Sequence, residues 1–125
     1  MQKSNKEFAN VLKKRTRKLA FNIIKLSSSL NRNVESNVIR NQITKSACSV
    51  GANYREANSS RSKADFRNKI KICYAEANET IFWLEVIEDQ GWGDLKVLEA
   101  LKKELNELAS IFASITLKLE RVPKL

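Results

Sequence analysis

Residues 95–119 read LKVLEALKKELNELASIFASITLKL. Within them Leu98, Leu101, Leu105, Leu108, Phe112, Ile115 and Leu119 follow at steps of three and four without a fault. That alternation puts the apolar side chains on one stripe of an α-helix and does not fit a strand, whose side chains repeat every two residues. Such a stripe is a seam that another helix must cover. Upstream the rhythm recurs: Phe66, Ile70, Cys73, Ala77, Thr80, Leu84 and Ile87 step four, three, four, three, four, three. Ile72, Ile81, Phe82, Trp83 and Val86 widen this second seam. A helix that is apolar on more than one side is buried in a bundle or faces another subunit.

Two further periodic segments precede these. Phe8, Leu12, Leu19, Ile23, Leu26 and Leu30 recur at steps of three, four or seven. Val38, Ile39, Ile43, Ala47, Val50 and Tyr54 form the other stripe. Its middle is crowded with small residues, Ser46, Ser49, Gly51 and Ala52. Gly51 costs a helix about 1 kcal/mol against Ala, and a close approach of a neighbouring backbone is a reason to keep it. Breaks separate the segments. Ser27 to Ser29 with Asn31 and Asn33 end the first, and Asn58 to Arg61 end the second. Ser62 with Asp65 suits an N-cap, Gly91 a left-handed cap and Asp94 the next N-cap, while Pro123 stops the last segment. Ser4 with Glu7 fits a capping box. Helices are expected over 4–30, 34–57, 62–89 and 94–119. Matched lengths and short connections predict an all-α, antiparallel up-down-up-down four-helix bundle, one domain spanning 1–125.

Composition narrows the chemistry. The 125 residues hold three glycines and one proline, too few for a sandwich or barrel of short strands. There is no histidine, which removes Ser-His-Asp and Cys-His nucleophile systems and most zinc or non-haem iron sites. Cys48 and Cys73 are expected to be reduced core residues, with no CxxC. No stretch approaches the ~20 apolar residues of a membrane span. The start is basic, Ser-rich and acid-poor like a presequence, but its periodicity from Phe8 to Leu30 assigns it to the fold. The protein is expected to be cytoplasmic. Its net charge is +9, and residues 1–45 alone carry +9 against −4 for residues 76–125. A basic front and an acidic back suit an anionic partner, nucleic acid first, or contact between the first and fourth helices.

The middle of the chain resembles the bacterial four-helix-bundle family of 23S rRNA intervening-sequence proteins. Their wider relatives include the accessory variability protein of diversity-generating retroelements. The resemblance covers Gln42 to Glu88. It rests on Lys45-Ser46, Ser49, Ala52-Asn53, Glu56-Ala57, Ser62, Asp65-Phe66, Lys69, Glu76-Ala77, Glu79-Thr80 and Trp83-Leu84 in that order. Tyr74 departs from it, standing where relatives often carry lysine. The resemblance implies a homo-oligomer, commonly a five-fold ring, with no enzymatic activity and no cofactor. It also implies, from the retroelement branch, a basic scaffold that binds RNA or DNA and a protein such as a reverse transcriptase.

The candidate nucleic-acid-binding residues are Lys13, Lys14, Arg15, Arg17 and Lys18, the densest basic tract, with Lys25, Arg40 and Lys45. Phosphate contacts by these groups would be steeply salt-dependent. No aromatic interleaves the tract, so base stacking by this region is not expected. A second group, Ser46, Asn53, Arg55, Glu56, Asp65, Phe66, Glu76, Glu79 and Trp83, carries the family motif and is read as either ligand-binding or structural and interfacial. The acids Glu76, Glu79 and Glu85 lack the histidines of a di-iron bundle and are expected to pair with Arg40, Lys45 or Arg55. Trp83 is the expected subunit-interface residue and Trp92 the cover of the bundle end. The competing reading of the whole is an adaptor ring that docks a partner protein without nucleic acid.

Overall fold

A computed structural model describes the backbone of residues 2–120 and the side chains of residues 5–120. It contains four helices, α1 (Gln2–Ser29), α2 (Val34–Ala57), α3 (Lys63–Asp89) and α4 (Leu95–Glu120), and no strand among the described residues. Each helix packs on its neighbour in the chain, and α1 returns to close on α4. Cross-helix contacts fix the sense of every pair. Thr16 meets Gly51, Ser46 meets Thr80, and Glu88 meets Lys102. Arg15 meets Glu104. Late α2 meets early α3 through Glu56 and Lys69, late α3 meets early α4 through Glu88 and Lys102, and Leu26 and Ser29 of late α1 line one cleft with Asp94 and Val97 at the start of α4, as an up-down-up-down bundle requires.

The predicted breaks are built from local hydrogen bonds. Gln90 closes α3, and Gly91 follows at φ 73°. The Gly91 N–H donates to the Glu88 carbonyl at 2.9 Å and the Trp92 N–H to that of Ile87 at 3.1 Å. This is the paired Schellman pattern, which needs the left-handed residue that glycine supplies without strain. Trp92 then packs against the core as expected. Asp94 caps α4, its carboxylate accepting from the Lys96 and Val97 amides, and Ser62 caps α3 by accepting from the Asp65 amide. Asn33 and Ser36 form a reciprocal capping box for α2. Helix α1 begins at Gln2, so the backbone of Ser4 lies inside it and not at its start as expected. The side chain of Ser4 and the stop at Pro123 lie outside the described residues.

The core takes most of the predicted stripes. Leu12, Leu19, Ile23, Leu26 and Leu30 of α1 meet Ile43, Ala47, Val50 and Tyr54 of α2. Ile70, Cys73, Ala77, Leu84 and Ile87 of α3 meet Leu98, Leu101, Leu105, Leu108 and Phe112 of α4. Three expectations fail. Phe8 is 48% exposed and Val38 54% exposed, each on the shoulder of its stripe. Cys48 is exposed and only Cys73 is buried. Thr16 fills the seven-residue gap between Leu12 and Leu19 in the α1 stripe and is fully buried. It can be, because its hydroxyl donates back to the Leu12 carbonyl at 2.9 Å. A Cβ on Gly51 would lie 3.2 Å from that hydroxyl oxygen, so the small-residue middle of α2 is indeed where another helix comes close.

Candidate functional site

The basic tract of α1 divides by the face on which each residue falls. Arg15 turns toward α4. Its Nε donates to Glu104 at 2.9 Å, one Nη donates to the other Glu104 oxygen at 2.6 Å, and the same Nη reaches Glu107 at 2.9 Å. The Glu104 hydrogen bonds raise its pKa above the usual guanidinium value, outweighing partial burial. Basic α1 therefore meets acidic α4 through this fork, and Arg15 is committed to the bundle rather than left to a ligand. Lys13 is half-buried beside it.

Lys14, Arg17, Lys18 and Lys25 face outward and are exposed. Among the described residues none of them has an ion-pair partner. The paired cations Arg15, Lys69, Lys71 and Lys102 all reach across to another helix. Lys14, Arg17 and Lys18 line a shallow cleft of about 430 Å³ together with Phe21, which is 65% exposed. An aromatic does interleave the tract. Phe21 lies three, four and seven residues beyond Lys18, Arg17 and Lys14, which is adjacency around a helix though not along the chain. That arithmetic was available in the sequence and is the signal by which Phe21 could have been found.

Arg40 and Lys45 do not join this cleft. Arg40 lies along α2, its head donating to Asn37 at 3.4 Å and its Nε buried without a partner among the described residues. Lys45 is exposed on the same helix. The second group of candidates is scattered by burial. Ser46 is buried, 2.8 Å from the Thr80 hydroxyl, which donates to the Glu76 carbonyl at 2.8 Å. A chain from Ser46 to Thr80 to Glu76 uses one proton per hydroxyl and ties α2 to α3. Asn53 donates to the carbonyl and hydroxyl of Ser49 within its own helix. Phe66 packs against the core.

The acids of α3 do not find the expected bases. Among the described residues no ion pair joins Glu76, Glu79 or Glu85 to Arg40, Lys45 or Arg55. The pair between α2 and α3 runs the other way, from Lys69 to Glu56 at 2.6 Å. Glu79 instead accepts from the Trp83 indole at 3.1 Å. Arg55, Glu56 and Asp65 line a cleft at the α2–α3 turn with Arg61 and Lys69, where both charge signs alternate. Trp83 is half-buried and stacks edge-on against Phe82, ring centres 4.9 Å apart.

Among the described residues no group of three or more Cys, Asp or Glu side chains could hold a metal ion, and no helix is long and apolar enough to cross a membrane. Cys73 is no nucleophile, because burial pushes its thiol up to about 12.

In architecture this is an antiparallel all-α four-helix bundle whose first helix carries a bare cationic face. The chain belongs to the 23S rRNA-intervening sequence protein family, which it matches over residues 3–114. It is similar to a solved crystal structure, that of a protein with unknown function from the S23 ribosomal protein family of Bacteroides thetaiotaomicron. The two share 34% sequence identity over 86% of this chain and 96% of that one, with a TM-score of 0.79. A comparison with curated proteins finds no match. The family resemblance read between Gln42 and Glu88 thus extends through all four helices.

Proposed function

We propose that this is a non-enzymatic, cytoplasmic, homo-oligomeric bundle that binds RNA or DNA without sequence preference through the outward face of α1. The observation that carries this reading is the set of four exposed cations, Lys14, Arg17, Lys18 and Lys25, none of which forms an ion pair among the described residues. A solubility charge alone would tolerate acids on the same face, and pairing with α4 would have used these cations as it uses Arg15. Backbone phosphates are the chemistry that such a face recognises.

Self-association finds support on α3. Phe82 and Ile72 are exposed there, and Trp83 and Val86 lie half-buried at neighbouring helical positions. Aromatic anchors on an otherwise polar surface are characteristic of subunit interfaces. A five-fold ring would repeat the α1 face and add weak contacts by multivalency. The same α3 surface supports the second reading, an adaptor ring that docks a partner protein such as a reverse transcriptase.

Fluorescence anisotropy of a labelled RNA or DNA against salt tests the main reading, with the particle mass taken by light scattering. Four phosphate contacts per chain give a log–log slope of about −3.6 on duplex DNA. The triple reversal K14E/R17E/K18E removes binding and leaves the mass unchanged. Binding that survives the reversal with the same slope sinks the reading. A multimer that binds no nucleic acid leaves the adaptor reading standing, and a monomer removes the ring.

A further inference from the structure

Phe21 is hard to account for as packing. Its neighbours Leu19 and Ile23 enter the core, while Phe21 stands on the opposite side of α1 with 65% of its surface in water. Among the described residues no aromatic ring pairs with it, the ring pairs being Tyr54 with Phe112, tilted, and Phe82 with Trp83, edge-on. Both properties leave a π-face open. Around that face stand Lys14, Arg17 and Lys18, and the four side chains form one cleft of about 430 Å³. The site therefore offers a flat apolar platform with positive charge one turn before it at Arg17 and Lys18 and two turns before it at Lys14, and the exposed Lys25 follows one turn after it.

A duplex matches only half of that. Its phosphates reach the cations, but its bases are stacked inside and present no face to a ring. An anionic membrane would need a broad apolar surface to insert, and α1 has spent its broad apolar stripe on the core. Only Ile24 accompanies Phe21 on the outer side of that turn. An unpaired nucleotide matches both parts: the base lies on the ring while its flanking phosphates meet the cations.

Resting on the nucleic-acid reading of this same face, we propose that Phe21 is a base-stacking platform and that the α1 face selects unpaired over duplex nucleic acid. Sequence tolerance follows, because every base has a π-face.

The experiment compares the full chain with its F21A and F21W variants. Phe21 is exposed, so neither substitution disturbs the core. The probes are a labelled 20-nucleotide oligo(dT), a labelled 20-base-pair duplex, and vesicles of phosphatidylcholine with phosphatidylserine. The expected result is that F21A weakens oligo(dT) binding by about tenfold or more, the scale of one stacked base. Its duplex affinity and its salt slope stay as in the parent chain, and F21W retains oligo(dT) affinity. An equal loss on both nucleic acids, or no loss on either, overturns the platform while the cationic reading stands. Absence of binding to both nucleic acids by the parent chain overturns both readings. Vesicle binding that F21A abolishes, without any effect on oligo(dT), assigns the ring to a lipid surface and likewise overturns the proposal.

Discussion

Replacing Gly51 with alanine sets two effects of similar size against each other. In an exposed helix the change would stabilise by about 1 kcal/mol, since glycine loses more backbone freedom on folding. Here the added Cβ would lie 3.2 Å from the Thr16 hydroxyl oxygen and 3.3 Å from the Thr16 Cβ. Rotation of Thr16 gives no relief. Its hydroxyl is held by the Leu12 and Lys13 carbonyls at 2.9 and 3.2 Å, and its Cβ does not move with the side-chain torsion. The backbones of α1 and α2 must therefore part by a few tenths of an ångström along a packed seam. Overpacking of that kind costs about 1–3 kcal/mol. The balance is a net loss of about 1 kcal/mol for G51A. Urea unfolding followed by circular dichroism measures it, with A52G on the exposed side of the same turn as the propensity control. Adding T16A should reduce the loss, because one of the two tight contacts disappears. A G51A protein that gains the full helix-propensity increment would refute the claim that the α1–α2 seam is closed at this point.

Other outcomes follow from the same packing. S46A and T80V should each cost about 1 kcal/mol, and the double variant about as much as either alone, since they break one shared hydroxyl link; strictly additive losses in denaturant unfolding would show that the link carries no energy. In the folded protein a thiol reagent should titrate Cys48 alone, with Cys73 reacting only on unfolding; fast modification of both thiols contradicts the assigned burial. Cys73 also sets a pH dependence. Burial raises its folded pKa from the usual 9.0 to about 12, so the unfolded state loses the proton first. Its contribution to stability is complete below pH 9 and declines by about 1.4 kcal/mol per unit as pH rises toward 12. In C73A that alkaline slope should be shallower by one proton, and an unchanged slope counts against the buried thiol.

The four helices were legible because their stripes are nearly pure. The leucine steps of α4 and the heptad seam of α3 leave one way to bury the apolar residues, and the caps at Ser62, Gly91 and Asp94 mark where the chain must turn. What escaped depends on how far each helix rotates about its own axis. Phe8 sits one step of four from Leu12 but on the side of α1 toward α4, where cover is thin. Thr16, Ser36 and Ser46 are interior residues without an apolar side chain; Thr16 and Ser36 return their hydroxyl protons to nearby carbonyls, and Ser46 gives its own to Thr80. The acids of α3 were expected to meet α2 bases, yet ion pairing depends on a few degrees of rotation that spacing does not encode. Phe21 is hidden for another reason: it stands outside the basic tract along the chain and joins it only around the helix cylinder.

The seam between α1 and α4 is the thinnest of the four, bridged by the Arg15 fork and indented by clefts that Leu19, Leu26 and Leu101 line. Helix α1 therefore leans mainly on α2, whereas α2 and α3 are each flanked by well-packed neighbours. Partial opening of the bundle should begin with α1 swinging away from α4, at a free energy below that of global unfolding. Its backbone amides would exchange with solvent before those of α3. The loosest stave of the barrel is thus the one that carries the cationic face. Any anion that grips that face in the closed bundle would tighten the weakest joint, so occupancy would be readable as slowed exchange along α1.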